Sequence, residues 1–384
     1  MSGVLQGLSL LLAATAIVGA IYQIAAAVLV RRFVARPAPS PAARPPVSVL
    51  KPLCGAEPGM AANLASCVAQ DYPAFQLVFG VADLADPALA EVSGLAAPHD
   101  GVVLDTVVDG RRHGCNLKVG NLLNMWPAAR HDVIAIADSD IRVGPHYLDD
   151  LVQPFADPKT GVVTFLYVGR PVGGLWSRLG AQGVNHGFLP SALLARAIGR
   201  KDGCFGATMA VRREVLDQVG GLAAMADVLA DDWVLGDRVR KLGLGIELAA
   251  RPVDIMVHEP DFATLFAHEI RWARTIAAID RPSYLASIIT QPVALALLAV
   301  LAGGAGGGVV LTLAAVMLAR LWAVRAQEQA LGLTHAGVGE LALREILSLL
   351  VYVVASCGRT VVWRGRRFIV RRDGTLELVE GTAP

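Results

Sequence analysis

An uncharged apolar segment near the start of the chain, residues 4–30, constrains the fold most. A helix of this length would rise roughly 40 Å, whereas the hydrocarbon core of a bilayer is about 30 Å thick. A cleaved signal peptide would carry basic residues before a shorter apolar core, but no basic residue precedes this segment. We therefore predict an N-terminal membrane anchor over residues 1–31.

The residues after this segment indicate its orientation. Arg31, Arg32, Arg36 and Arg44 all follow it, and basic residues favour the cytoplasmic side of a membrane. The proline-rich stretch within residues 32–46 is typical of a stiff, extended spacer. We expect an inner-membrane protein whose next domain faces the cytoplasm.

Residues 47–281 have the composition of an ordinary globular domain. Short apolar runs alternate there with longer, helix-like stretches. Strands that are apolar on both faces and separated by helices indicate a mainly parallel sheet, and therefore a Rossmann-like α/β domain. The predicted strands lie within residues 47–53, 75–83, 101–109, 132–140 and 161–167.

Residues 282–384 are again rich in apolar side chains. Residues 285–302 and 309–324 are apolar and joined by a glycine-rich segment, which predicts a hairpin of two transmembrane helices. A third apolar patch, residues 346–355, is compatible with a membrane crossing or with a re-entrant or interfacial element. A basic tail follows this patch and contains Arg359, Arg364, Arg366, Arg367, Arg371 and Arg372.

Whole-chain composition narrows the functional classes. Apolar residues make up 54% and charged residues 17% of the chain, a balance too apolar for an ordinary soluble enzyme. The net charge of +1 gives no indication of a nucleic-acid partner. The five cysteines are scattered without metal-ligand spacing, which favours free thiols in a reducing compartment.

A pair of acidic residues, Asp138 and Asp140, follows the fourth predicted strand. Residues two apart on an extended chain point to the same side, and this pair would lie at the carboxyl edge of the sheet, where open α/β sheets bind ligands. Two carboxylates beside a nucleotide diphosphate require a divalent cation between them, and Mg²⁺ or Mn²⁺ prefers such oxygen ligands. The alternative is that both residues only end the strand and begin a turn.

Two further acidic motifs have the same ambiguity. Asp83 ends the second predicted strand, where it could accept hydrogen bonds from a base or ribose, or cap the next helix. Asp231 and Asp232 precede an amphipathic helix. They could cap that helix, but two adjacent acids exceed what one cap needs, and one of them could serve as a general base.

A polar and aromatic cluster, His268, Arg271 and Trp272, precedes the C-terminal apolar region. On a helix His268 and Arg271 would be neighbours on one face. Arginine and tryptophan are typical anchors at a membrane interface. They would equally suit a phosphate and a lipid that enters from the bilayer.

The order of these motifs resembles the family 2-like GT-A glycosyltransferases, and more closely the ceramide glucosyltransferase group. Finer details resemble the bacterial hopanoid-biosynthesis glycosyltransferases. His268 stands where many relatives have glutamine, which argues against a processive polysaccharide synthase, and Asp140 stands where some ceramide enzymes have glycine. The segments that carry the resemblance are VSVLKPLCGAEP, VADLADPA, NLKVGNLLNM, DSDIRV, ADDWVL and HEIRW.

The resemblance implies a role for each matching residue. Asp232, with Asp231 beside it, would be the catalytic base. His268, Arg271 and Trp272 would shape the acceptor mouth, and Arg271 and Trp272 would also help to hold the diphosphate. A lone histidine is more often structural, but His258 would be a further metal or phosphate ligand. The remaining implied roles are nucleotide-sugar contacts by Glu57, Asp83, Lys118 and Asp138, and metal ligation by Asp140 with Asp138.

The resemblance also implies a reaction, the inverting transfer of N-acetylglucosamine from a UDP-sugar to a lipid hydroxyl. The implied acceptor is a hopanoid polyol such as bacteriohopanetetrol. The alternative is a ceramide or another sphingolipid that receives glucose from UDP-glucose. A catalytically inactive membrane scaffold is a third interpretation, and the intact acidic motifs argue against it.

Overall fold

The computed structural model describes residues 2–37, 40, 42–303, 306–363, 366–371, 373 and 375–379. Parts of three predicted segments lie outside the described residues. These are residues 38, 39 and 41 of the proline-rich spacer, residues 304 and 305 of the glycine-rich segment, and Arg364 and Arg372 of the basic tail.

The described residues form strands and helices in alternation over the central domain. The strands are β1 (Val47–Pro52), β2 (Phe75–Val81), β3 (Val102–Val108), β4 (Val133–Ala137), β5 (Ile141–Arg142), β6 (Thr160–Thr164), β7 (Tyr167–Pro171), β8 (Thr208–Arg212), β9 (Gly245–Leu248), β10 (Val253–Val257), β11 (Thr360–Trp363), β12 (Arg366–Val370) and β13 (Leu376–Leu378). The helices are α1 (Ser2–Val34), α2 (Met60–Val68), α3 (Ala88–Ser93), α4 (Leu117–Met125), α5 (Tyr147–Val152), α6 (Leu175–Gly183), α7 (Leu189–Ala197), α8 (Arg213–Gln218), α9 (Asp231–Lys241), α10 (Phe262–Ile279), α11 (Arg281–Ala286), α12 (Pro292–Gly303), α13 (Gly307–Ala330) and α14 (Val338–Ser356).

The central sheet has seven strands in the order β3-β2-β1-β4-β8-β6-β9. Strands β1 to β4 are mutually parallel where they pair, and so are β6 and β9. Only β8 runs against its neighbours β4 and β6. The prediction of a mainly parallel α/β sheet is confirmed, and β1, β2, β3, β4 and β6 coincide with the five predicted strands.

Strand β4 is buried on both faces, as its uninterrupted apolar sequence predicts. Ala135 packs into a core with side chains of α2 and α5. Ile134 and Ile136 point to the opposite core, which contains side chains of α4 and α9. Helices on both faces exclude water from the sheet, so the acidic residues that follow β4 are held on a rigid edge.

A second, three-stranded sheet in the order β5-β10-β7 lies beside this edge. Its first strand begins directly after Asp140, and the backbone oxygen of Asp140 accepts a hydrogen bond from the Met256 amide at 2.9 Å. Helices α6 and α7 follow β7 and are joined by a π-helical turn at Val184–Phe188. The second sheet therefore fixes the backbone on the far side of the acidic pair.

Two helices are long and apolar enough to cross a membrane, Gly3–Val34 and Gly307–Ala330, among the residues that the structure describes. Helix α1 packs along α12 and α13 through small residues such as Ala16 and Ala296. Gly19 permits a close approach of the segment before α12, because a Cβ atom at Gly19 would collide with the Ile289 backbone oxygen. Small side chains at such crossings are typical of packed membrane helices.

The first helix of the predicted C-terminal hairpin is not continuous. The segment over residues 285–302 breaks near Gln291, and Arg281–Thr290 meets Pro292–Gly303 at a bend of 75°. Pro292 explains the break, since proline lacks the amide hydrogen that would continue the preceding helix. The predicted first helix of the hairpin is therefore two shorter helices, which form a broken span or a re-entrant loop.

The third apolar patch, residues 346–355, lies in α14, which packs against α10 and α6. Arg344 of this helix is buried and pairs with Glu269 of α10, with Nη2 donating to Oε2 at 2.8 Å. Helix α14 is not among the candidate spans in the described residues. The ion pair and the packing hold α14 against α10 and α6.

Candidate active site

Lys51, the fifth residue of β1, is fully buried beside the acidic pair. Its Nζ donates to the backbone oxygen of Asp138 at 2.8 Å. A buried ammonium needs such a partner, because leaving it unpaired in the core costs several kcal/mol, roughly. Sequence reasoning did not single out Lys51, although a lysine inside an apolar strand was the available signal.

Lys118 joins two of the acidic motifs. Its Nζ lies 2.7 Å from Asp138 Oδ1 and 3.7 Å from Asp231 Oδ2. Burial alone disfavours the charged ammonium, but the carboxylates of Asp138 and Asp231 outweigh it and raise the pKa of Lys118. Helix α4 begins just before it, where Asn116 Oδ1 accepts from the Val119 amide at 3.1 Å. The structure therefore brings together three predicted site residues from separate parts of the chain.

Asp140 has an oxygen atom that the described residues leave without a hydrogen bond. Its Oδ1 atom is buried and has no hydrogen-bond partner among the described residues. Burial, with the negative charges of Asp138 and Glu57, raises the pKa of Asp140 to about 7. A cation is what would stabilise the ionised carboxylate there, so the residues fit a hard divalent metal such as Mg²⁺ or Mn²⁺.

The protein alone does not enclose that metal. Within the part of the chain that the structure describes, no group of three or more His, Cys, Asp or Glu side chains is arranged to hold an ion. His258, the third predicted ligand, is exposed, and its Nδ1 lies 3.1 Å from the Val172 oxygen. A metal held here would take further ligands from phosphate and water, as Mg²⁺ commonly does.

Asp231 and Asp232 are the first two residues of α9. The N-cap of this helix is Ala230, without a side-chain cap, so capping does not account for the pair. Asp232 Oδ1 accepts from the Trp233 amide at 2.8 Å, and Asp231 Oδ2 is buried without a hydrogen-bond partner among described atoms. Burial and the neighbouring Asp231 raise the pKa of Asp232 to about 7, a value suited to a general base.

Gly206 lies next to the Asp232 side chain, and its lack of a side chain leaves room for the Asp232 carboxylate. A Cβ atom at this position would lie 3.0 Å from Asp232 Oδ2. The Gly206 backbone oxygen also accepts a hydrogen bond from Lys118 Nζ at 3.3 Å. The glycine thus lets the backbone approach both the predicted base and the lysine.

Asp83 is exposed at the end of β2, and its Oδ1 accepts from the Ala85 amide at 2.9 Å. It does not cap α3. The bond into the start of that helix comes from Asp86, which accepts from the Ala88 amide at 2.9 Å. Asp86 also accepts from the Gly55 amide at 3.0 Å and so ties the loop that carries exposed Glu57 to the Asp83 turn.

The predicted cluster of His268, Arg271 and Trp272 lies on α10. The rings of His268 and Trp272 lie 4.2 Å apart, and Trp272 is 39% exposed. His268 Nδ1 lies 2.8 Å from an oxygen of buried Glu259, which sequence reasoning missed. Arg271 is half-buried on the same helix. His268 thus contacts Glu259 and Trp272 rather than the acidic residues that follow β4 or begin α9.

An aromatic wall completes the site. Tyr167 stacks on Phe188 with ring centroids 4.5 Å apart, and Phe188 meets Phe205 edge-on at 5.1 Å. Burial, together with the charges of Asp232, Asp140 and Asp138, raises the pKa of the Tyr167 hydroxyl. The Tyr167 hydroxyl therefore lies within the electrostatic influence of all three carboxylates. No local motif in the sequence marks Tyr167, because strand β7 brings it to the site.

A mainly parallel sheet with paired acids after a central strand, and a second acidic pair facing them, defines a GT-A glycosyltransferase. Among solved structures, a mannosyltransferase from Pyrobaculum calidifontis in complex with GDP-Man and Mn²⁺ matches 92% of this chain and 97% of its own. The TM-score of 0.51 at 20% identity shows a shared fold. The chain belongs to glycosyl transferase family 21, whose model matches residues 11–376.

Curated relatives agree with this family. Ceramide glucosyltransferase 1 of Caenorhabditis elegans is 26% identical over 211 residues, which cover 54% of this chain and 45% of the relative. Ceramide glucosyltransferase of Komagataella phaffii is 34% identical over 101 residues, 25% of this chain and 20% of the relative. The matched region thus spans less than half the length of these relatives.

Proposed function

We propose that this protein transfers a sugar, with inversion, from a UDP-sugar to the hydroxyl of a membrane lipid. The observation that carries the proposal is one site that contains both acidic pairs: Lys118 Nζ lies 2.7 Å from Asp138 Oδ1 and 3.7 Å from Asp231 Oδ2, and so joins the pair after β4 to the pair that begins α9. One suits a cation beside a diphosphate, and the other suits a proton from an acceptor hydroxyl.

The donor would lie along the carboxyl edge of the sheet. Asp83 and Glu57 would contact the nucleoside, and Lys118 the phosphates or uridine. Asp140, with Asp138, would hold a divalent cation, which would neutralise charge on the diphosphate when bound. His258 follows β10 and Arg271 lies on α10, and both would add contacts to the phosphates.

The acceptor would approach from the membrane side. Helix α10 carries His268 and Trp272 and is followed directly by the bent pair of membrane helices. Asp232 would accept the proton of the acceptor hydroxyl while its oxygen forms a bond to the anomeric carbon. The bond from that carbon to the UDP oxygen breaks in the same step, which inverts the configuration.

A ceramide-like acceptor with UDP-glucose is the interpretation that the curated relatives support. The hopanoid polyol and UDP-N-acetylglucosamine are supported only by the likeness of the sequence motifs. Both acceptors present a hydroxyl on an apolar body, so the chemistry of the site serves either. An assay that offers both kinds of acceptor therefore decides the acceptor class.

The assay uses the purified full chain, UDP-glucose and UDP-N-acetylglucosamine, each with ceramide or a hopanoid polyol in mixed micelles. Mass spectrometry of the extracted lipid identifies the product. We expect glucosylated ceramide. A product formed only from the hopanoid polyol would show that the acceptor is a hopanoid polyol and not a ceramide. No glycolipid from any pairing, with wild type equal to Asp232→Asn, would contradict the proposed function.

We also propose that the catalytic domain faces the cytoplasm, because Arg31 and Arg32 lie in the last turn of α1 and Arg36 follows that helix. A labelling tag inserted at Ser40 should stay inaccessible to a membrane-impermeant reagent in intact cells. It should react after the cells are lysed. Labelling in intact cells would place the domain on the other side.

A further inference from the structure

The C-terminal residues form an antiparallel sheet in the order β11-β12-β13. Its residues alternate between two faces. One face is buried, and the other exposes Val362 and Ile369. The buried face packs as one cluster with Leu229, and its members are Val361, Phe368, Val370 and Leu376.

This sheet is attached to the loop that precedes the two acids of α9. The Leu376 amide donates to the Asp227 backbone oxygen at 2.9 Å, and Val228 forms an antiparallel bridge with Thr375. Leu229 is 8% exposed and packs on the sheet. The loop is thus paired by backbone and packed by side chain immediately before Asp231.

The other side of the same loop is attached to the segment that leads to Lys118. The Asn116 amide donates to the Ala226 oxygen at 2.8 Å, and Asn116 Nδ2 donates to the Val228 oxygen at 2.9 Å. Asp227 Oδ1 accepts from the Cys115 amide at 2.9 Å. The loop therefore lies between the lysine segment and the C-terminal sheet.

The sheet also contacts α10. The Arg274 guanidinium donates to the Thr360 backbone oxygen, and Ala278 packs against the buried face. Gly358 allows this approach, because a Cβ atom there would lie 2.8 Å from Arg274 Nη2. One small sheet thus joins the helix of His268 and Trp272 to the loop of the predicted base.

We propose that the C-terminal sheet is a positioning element that holds Asp231 and Asp232 in the active site. The inference rests on the proposed function, in which Asp232 is the base. Two adjacent carboxylates repel each other when ionised, and α9 has no side-chain cap at its start. Tertiary contacts must therefore hold this helix end, and the contacts of Leu229, Val228 and Asp227 with the sheet supply them.

The test compares two residues of β12 in the full chain. Phe368 is 3% exposed and faces the loop, whereas Ile369 is 37% exposed on the opposite face. Phe368→Ala is expected to lower kcat about 10-fold to 10²-fold, the range for a misplaced catalytic group. UDP affinity should stay within about twofold, because the donor residues lie on other elements. Ile369→Ala should match wild type.

A readout that does not depend on activity accompanies the kinetics. Amide hydrogen exchange of the peptide over residues 222–232 should be faster in Phe368→Ala and unchanged in Ile369→Ala. Leu229→Ala, which cuts the same packing from the loop side, should reproduce both effects. If Phe368→Ala changed neither kcat nor exchange, or lowered activity only in proportion to the folded fraction, the positioning role would be contradicted. If wild type glycosylated no lipid, the proposed function would fail, while the exchange data would still decide this inference.

Discussion

Replacing Asp232 with asparagine is expected to lower sugar transfer by roughly 10²–10⁴, the range for a positioned acid–base group. Asparagine keeps the size of the side chain and an oxygen that can accept from the Trp233 amide, a bond of 2.8 Å in the structure. It cannot accept the proton of the acceptor hydroxyl. UDP-sugar affinity and melting temperature should therefore change little while turnover falls.

The pH dependence gives the same prediction a second measurement. Burial and Asp231 raise the pKa of Asp232 to about 7, and a base acts only when ionised. Transfer by wild type should therefore rise as the pH increases through about 7. At saturating Mn²⁺, which would keep Asp140 ionised, the residual activity of Asp232→Asn should lack this ascending limb.

Asp231→Asn is the matched control, with a smaller loss expected because the adjacent side chain points elsewhere. Its Oδ2 is buried and 3.7 Å from Lys118 Nζ, so it contacts the lysine rather than the Trp233 amide. Near-normal turnover by Asp232→Asn, with a large loss in Asp231→Asn, would transfer the role of base to Asp231.

Replacing Asp140 with asparagine should remove the metal dependence of donor binding and lower transfer by about 10²-fold or more, since a bound cation contributes several kcal/mol, roughly. The reason is local. Asp140 Oδ1 is buried without a partner among described residues, and a neutral amide there no longer attracts a cation. Calorimetry of UDP binding with and without Mn²⁺ measures the effect directly.

A buried acid outside the site provides the control for this variant. Asp150 is buried and pairs with Arg251, with Nε 2.8 Å from Oδ2. Asp150→Asn should alter stability but leave the Mn²⁺ dependence of UDP binding intact. Wild-type binding that is insensitive to Mn²⁺ and to chelation would remove the metal from the proposed mechanism.

Local patterns in the sequence were sufficient to predict the first membrane helix, the strands of the central sheet and the order of the motifs. The uncharged run of residues 4–30 predicts α1, because only a helix satisfies its own backbone in a bilayer. The apolar runs predict β1 to β4 and β6, because strands buried on both faces carry no polar side. Asp83, Asp138, Asp140 and Asp232 were predicted to be site residues because each follows a predicted strand or precedes a predicted helix.

Tertiary structure decided which of these residues meet. Lys118 bridges Asp138 and Asp231, which lie far apart in the sequence, and no local periodicity encodes such a contact. Tyr167 enters the site only because β7 pairs with β10. The C-terminal sheet, which the sequence suggested only as a basic tail, packs on the loop before Asp231 because Phe368 and Leu376 bury their side chains against Leu229. Apolar periodicity determines which residues of a chain are buried, but only the packed fold determines which other residues they are buried against.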